Sequence, residues 1–98
     1  MTIPLDEPSA FQLARDCLAS LVDLDMKYPG ERSFKSILIQ LRLIESVSSF
    51  DEISSTDRHR FNFGTLAMRF VYEFDEELAG KIADLKTYIE RRYGEESE

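Results

Sequence analysis

Side chains that carry chemistry are scarce in this chain. Its 98 residues include one cysteine, one histidine, no tryptophan, four glycines and three prolines. Each scarcity closes off a class of function. A lone Cys17 cannot form an internal disulfide, which accords with a reducing compartment. It stands beside the apolar stripe of a helix and reads as a buried structural thiol. His59 is the side chain that titrates readily near neutral pH, and it lacks the company that catalysis or metal binding requires: a second histidine, a cysteine pair or a nucleophile to activate. Its expected role is packing or polar contact at a helix start. There is no Gly-rich loop to cradle a phosphate. Neither an enzyme activity, a metal nor a cofactor is expected. No stretch joins a basic n-region to the apolar h-region of a signal peptide, and the longest apolar run falls well short of a membrane span. The expected compartment is the cytoplasm.

Positive charge is also in short supply. Nineteen acidic residues face twelve basic ones, for a net charge of −7. That field repels phosphate backbones and anionic lipid, so neither nucleic acid nor a membrane is an expected partner. It attracts a basic protein, although much of it serves only to keep a small domain soluble. The length suits one domain spanning 1–98, with frayed ends at about 1–6 and 95–98.

What the chain does have is helical periodicity. Asp6-Glu7-Pro8 reads as a helix start, and Phe11, Ala14, Leu18 and Leu21 recur at one-face spacing over about 8–27. Tyr28-Pro29-Gly30 should end that helix, with Gly30 suited to a left-handed turn. A second helix is expected over about 32–48. It is apolar around much of its circumference, from Phe34, Ile37, Leu38, Leu41, Ile44 and Val47, so it sits centrally or meets a partner on its second side. Ser48 to Thr56 forms the longest connection, and Ser55 or Thr56 can cap a third helix over about 57–72. Gly64 in that helix costs roughly 1 kcal/mol relative to Ala, which points to a close approach by another backbone. Asp75 caps a fourth helix, and Gly94 is a natural stop. No window alternates apolar and polar residues as a strand does. The fold class is therefore all-α, a compact antiparallel four-helix bundle.

Two sets of residues stand out as a partner surface. In the long connection, Phe50 is followed by Asp51 and Glu52: an aromatic anchor beside acids, either an interface element or a loop pinned to the bundle end. On the third helix, Phe61, Thr65, Met68, Arg69 and Tyr72 make a second, more exposed stripe beside the core stripe of Phe63, Leu66, Ala67 and Phe70. Aromatics and arginine are the side chains that interface hot spots favour. Glu73 and Glu76 continue the stripe as an acidic patch, while also suiting the positive end of the fourth helix. The candidate contact residues are thus Phe50, Asp51, Glu52, Phe61, Arg69, Tyr72, Glu73 and Glu76.

A sparse string of markers adds to this reading. Tyr28-Pro29-Gly30, Gln40-Leu41, Ile44, Ser46-Val47, His59-Arg60, Gly64, Ala67 and Glu77-Leu78 occur in the order and spacing of one family. The chain resembles the small helical immunity proteins that neutralise type VI secretion toxins. It is most similar to the branch that guards pseudomonads against an NAD(P)-hydrolysing effector. The likeness extends from about Leu18 to Ile89. It implies an antitoxin without enzyme activity, which binds the C-terminal toxin domain of its cognate effector and blocks the substrate cleft. It also implies a toxin that is an NAD(P) glycohydrolase or a related ADP-ribosyltransferase-fold enzyme. The longer acidic lead, the Glu-rich tail and the second-helix side chains depart from the family pattern, at surfaces where partner choice is set. Two other readings exist: a helical adaptor or effector-chaperone for an unrelated protein, and a small enzyme or ligand carrier. The last needs a polar constellation inside the bundle, and the expected core has none.

Overall fold

In the computed structural model, which describes residues 6–93, the first helix starts at its polar cap. The Asp6 carboxylate accepts a hydrogen bond from the Ser9 N–H at 2.9 Å, satisfying one of the donors that a helix start leaves over. Pro8 lies in the first turn, where its missing N–H costs nothing. Helix α1 (Glu7–Lys27) runs to Tyr28, whose backbone leaves helical geometry ahead of Pro29. The Tyr28 carbonyl accepts from the Glu31 N–H at 3.1 Å, closing a turn over Pro29 and Gly30. No described glycine has a positive φ, so Gly30 is not the left-handed stop that was expected. A turn with proline second and an ordinary backbone third reverses the chain without one.

Helix α2 (Arg32–Glu45) ends a little before the expected boundary. The Ser46 hydroxyl donates to the Leu43 carbonyl at 2.7 Å and takes over an acceptor that further helix would have used. Ser49 then caps a single 3-10 turn, Phe50–Glu52, and Ser54 caps helix α3 (Ser55–Arg60) by accepting from the Asp57 N–H at 3.1 Å. That cap lies one residue ahead of the expected pair.

The expected third helix is not continuous. Phe61 adopts extended geometry (φ −62°, ψ 123°), and helix α4 (Phe63–Leu66) begins afresh after Asn62. Gln40 on α2 holds the break open. Its Nε2 donates to the Asn62 side-chain oxygen at 2.7 Å, and its Oε1 accepts from the Asn62 N–H at 2.9 Å. The second bond satisfies a backbone donor that the interruption exposes. Helix α4 passes into a π-helical turn, Ala67–Val71, in which the Tyr72 N–H reaches the Ala67 carbonyl at 3.0 Å. Helix α5 (Glu76–Arg92) follows, capped by Asp75 through the Leu78 N–H at 3.0 Å. The expected Gly94 stop and the expected frayed ends, about 1–6 and 95–98, lie outside the described residues except for Asp6, which caps α1.

The long helices close a ring: α1 packs on α2 and α5, and α4 with its π turn packs on the same two. Neighbours run antiparallel, as their contacts show: Asp25 meets Lys35, Gln40 meets Asn62, and Glu7 meets Arg92. With α4 and its π turn taken as one helix and α3 as a short extra, this is the expected all-α four-helix bundle. Phe34, Phe50, Phe63, Leu21, Ile37, Leu41, Ile44, Ile82 and Leu85 are fully buried in the centre, each contributing ~1.5–3 kcal/mol of burial. No described polar or charged residue is buried with them. A Cβ placed on Gly64 would lie 2.9 Å from the Lys86 Cβ, so the close approach expected at this glycine is between α4 and α5, inside the bundle.

Candidate partner-binding surface

The candidate contact residues separate into two ends of the bundle and its interior. At one end, the α1 start, the 3-10 turn and the α5 terminus are tied together. Glu7 Oε2 accepts from the Phe50 N–H at 3.0 Å, and Glu7 Oε1 lies 3.4 Å from the Arg92 guanidinium. The Tyr93 hydroxyl donates to Asp51 at 2.6 Å, while Arg92 approaches the same carboxylate at 3.5 Å. The Tyr93 bond, helped by the Arg92 charge, holds the Asp51 carboxyl below its ordinary range. Arg58 stacks on the Tyr93 ring, 3.9 Å from its centre. Phe50 is fully buried against Phe11 and Tyr88, with ring centres at 4.6 and 5.4 Å. Of the two roles open to Phe50, the geometry is that of the loop pin. Asp51 is committed to the chain's own cations and phenol. Glu52 remains exposed and accepts from the Ser48 N–H at 3.4 Å.

Phe61 lies in the interior. It is buried beside Phe63, with ring centres 5.4 Å apart. Its placement on an exposed stripe assumed a continuous helix through 57–72. The break at 61–62 changes the phase of everything before it and turns the ring into the core. As a docking group exposed on that stripe, Phe61 is therefore corrected.

Arg69, Tyr72, Glu73 and Glu76 are together and exposed at the opposite end. Helix α1, with 21 residues, separates this end from Asp51 and Glu52 by ~30 Å. The two acidic sets, Asp51 with Glu52 and Glu73 with Glu76, therefore stand at opposite ends of the bundle. The π turn adds a residue to the helical repeat immediately before Tyr72 and so sets which side chains face out: Met68, Arg69 and Tyr72 do, while Ala67 and Val71 face the core. The Tyr72 hydroxyl donates to Glu76 Oε2 at 3.0 Å, which fixes the ring. Because the bond favours the protonated phenol and the carboxylate is negative, the Tyr72 hydroxyl is pushed above its ordinary value.

Two residues absent from the candidate set belong to this surface. Phe74 lies in the turn between the π turn and α5, and Tyr28 lies in the turn between α1 and α2. Their ring centres are 4.6 Å apart, and Phe74 rests edge-on against the buried Phe34 at 5.6 Å. Both are large apolar groups left partly open to solvent: Tyr28 is 44% exposed and Phe74 38%. In the sequence Tyr28 reads as a helix stop and a family marker, not as a contact residue. The signal for Phe74 was its pattern, an aromatic between acids in a connection, close to the aromatic beside acids that drew attention to Phe50. Met26 and Ile39 are more exposed still, on α1 and α2. His59 is exposed on α3, and Cys17 is buried. Among the described residues no group of three or more His, Cys, Asp or Glu is placed to hold a metal ion, and no helix is long and apolar enough to cross a membrane.

The Tsi6 family model matches residues 9–91, which spans the ring of helices from the first turn of α1 to the last of α5. The chain belongs to the Tsi6 family. A solved structure, that of Tsi6 from Pseudomonas aeruginosa, is similar to the chain with a TM-score of 0.70 and 26% sequence identity, covering 82% of this chain and 83% of the other. Comparison with curated protein sequences finds no match. Tsi6 proteins are type VI secretion immunity proteins, in agreement with the resemblance carried by the marker residues. Several of those markers now have structural roles. Gln40 braces the break before α4, Gly64 admits α5, and Tyr28-Pro29-Gly30 turns the chain at the aromatic end.

Proposed function

We propose that this chain is the antitoxin of one type VI effector, binding the effector's C-terminal toxin domain and closing its substrate cleft without chemistry of its own. The observation that carries the reading is membership of the Tsi6 family over residues 9–91. The marker residues favour a toxin that is an NAD(P) glycohydrolase or a related ADP-ribosyltransferase-fold enzyme. The electrostatics are consistent with that choice. Clefts that bind phosphorylated nucleotides are usually basic, and a rigid acidic domain with a net charge of −7 complements one. Occlusion asks for a surface rather than a catalytic group, and Arg69, Tyr72, Glu73 and Glu76 supply an exposed, polar-rimmed one. A stable complex buries about 1,600 Å² in total, within reach of two helices and a turn. The antitoxin acts in the cytoplasm, where the toxin meets its substrate. Nucleic acid, membrane and small molecules have no part in this reading.

The test is a titration of the toxin activity of the effector whose gene adjoins that of the chain. Occlusion requires inhibition that saturates near one chain per toxin domain, with full activity recovered when the complex is dissociated in denaturant and the toxin refolded. Inhibition at clearly substoichiometric amounts, or a toxin left chemically altered, refutes it.

A further inference from the structure

The paired turns at the end of the bundle, 27–32 and 72–77, combine features that a monomeric surface rarely combines. Tyr28 and Phe74 pack together with ring centres 4.6 Å apart and planes tilted by 45°, and Tyr72 stands beside them in sequence, 44% exposed and fixed by its bond to Glu76. The same turns hold five acids (Glu31, Glu73, Asp75, Glu76 and Glu77) and two cations (Lys27 and Arg32). Asp75 is occupied as the α5 cap and Glu77 lies 3.6 Å from Lys81, which leaves Glu31, Glu73 and Glu76 to give the rim its charge. Aromatic faces within an acidic rim offer a cation two attractions at once, the ring quadrupoles and the carboxylates, while the stem of a Lys or Arg side chain covers apolar ring surface. The support beneath is rigid: Phe74 rests on the buried Phe34, and the turn at Tyr28 is closed by its own hydrogen bond and fixed by Pro29. A surface already ordered binds without the cost of ordering it.

We infer that this aromatic end is the anchor of the interface, and that it takes a basic segment of the toxin domain, with a Lys or Arg side chain laid across Tyr28 and Phe74 and answered by Glu73 and Glu31. The inference rests on the antitoxin reading above and specifies where the effector is gripped and by what chemistry. It adds Tyr28 and Phe74 to the contact set and places the grip at the bundle end remote from Asp51.

The probe is the purified C-terminal domain of the adjoining effector, with binding followed by surface-immobilised kinetics. The parent chain must bind it; if it does not, the antitoxin reading fails together with this inference. Given that binding, Tyr28→Ser with Phe74→Ser should release the domain at least about thirtyfold faster, the loss expected of a hot-spot pair. Tyr28→Phe, which keeps the ring, should stay within about threefold of the parent. Phe74 also supports Phe34, so Tyr28→Ser alone is the second readout, with release at least about fivefold faster and an unchanged circular dichroism spectrum. Release rates within about twofold of the parent in both Tyr28→Ser variants would overturn the inference and leave the antitoxin reading standing. So would a concentration-dependent dimer of the free chain that Tyr28→Ser abolishes, because the face would then belong to a second copy.

Discussion

A Cβ on Gly64 would sit 2.9 Å from the Lys86 Cβ and 3.0 Å from its Cγ. The Lys86 Cβ is fixed to the α5 backbone, so the overlap cannot be relieved by swinging the end of a flexible side chain. Alanine at this position gains about 1 kcal/mol in helix propensity, while overpacking costs about 1–3 kcal/mol. Overpacking should win. Gly64→Ala is expected to lose about 1 kcal/mol in denaturant unfolding and about 4–8 °C in Tm, and Gly64→Leu more. An alanine variant as stable as the parent would show that α5 moves away without cost. Cys17 offers a second measurement at this scale. Burial pushes its thiol up from the usual 9.0 to about 12, against a smaller opposing effect of Lys81. It should resist a thiol-reactive chromophore at pH 8 and react promptly once urea unfolds the chain. The sign for stability follows: the protonated thiol is favoured in the folded state, so its contribution is complete below pH 9.0 and lost as the pH rises toward about 12. Rapid labelling of the folded chain would contradict this burial. Both residues were legible in the sequence, because a glycine within good helix and a cysteine beside an apolar stripe each carry a local signature.

Three long helices were legible for the same local reason: Asp6, Asp75 and Pro29 mark boundaries, and the apolar stripes between them have helical spacing. The third helix was not. Nothing in the run from His59 to Gly64 forbids helix, and the break is bridged by Gln40, 22 residues away, which bonds both the side chain and the backbone N–H of Asn62. A partner that distant leaves no periodic trace. The π turn is hidden likewise, since a single added residue within Ala67–Val71 lies inside the tolerance of any stripe. These two departures decide which of Phe61, Met68, Arg69 and Tyr72 face out, so this part of the candidate surface was only half legible. The Gln40 brace can be measured. Gln40→Ala should cost about 1 kcal/mol, the range for hydrogen bonds that remain partly open to water. Asn62→Ala in the same background should add little, because the bond to the Asn62 side-chain oxygen is already lost once Gln40 is gone. Fully additive losses in the double-mutant cycle would mean that the two residues do not act together.

For the molecule as a whole, sequence could count the acids but not locate them. Asp51, Glu52, Glu73 and Glu76 look like one resource in a list, and the fold sends them to ends ~30 Å apart, nearly four Debye lengths of about 8 Å at physiological salt. Net charge acts on a partner at long range and local charge acts at contact, and the two can be separated by an exchange that holds one constant. Replacing Glu73 and Glu76 by lysine, or Glu45 and Glu52 by lysine, changes the total charge equally. The second pair stands toward the other end and omits Asp51, whose loss would take a partner from both Tyr93 and Arg92. If the toxin domain docks at the aromatic end, the first exchange should slow association by about tenfold at low salt and the second by no more than about threefold. Release should change less than association in both. Raising the salt should slow the parent's association and bring the Glu73/Glu76 variant closer to it, since screening removes what the exchange removed. Equal slowing by the two exchanges would mean that only total charge steers the encounter. Greater slowing by the Glu45/Glu52 exchange would move the docking surface to the end that Glu7, Asp51 and Arg92 tie together.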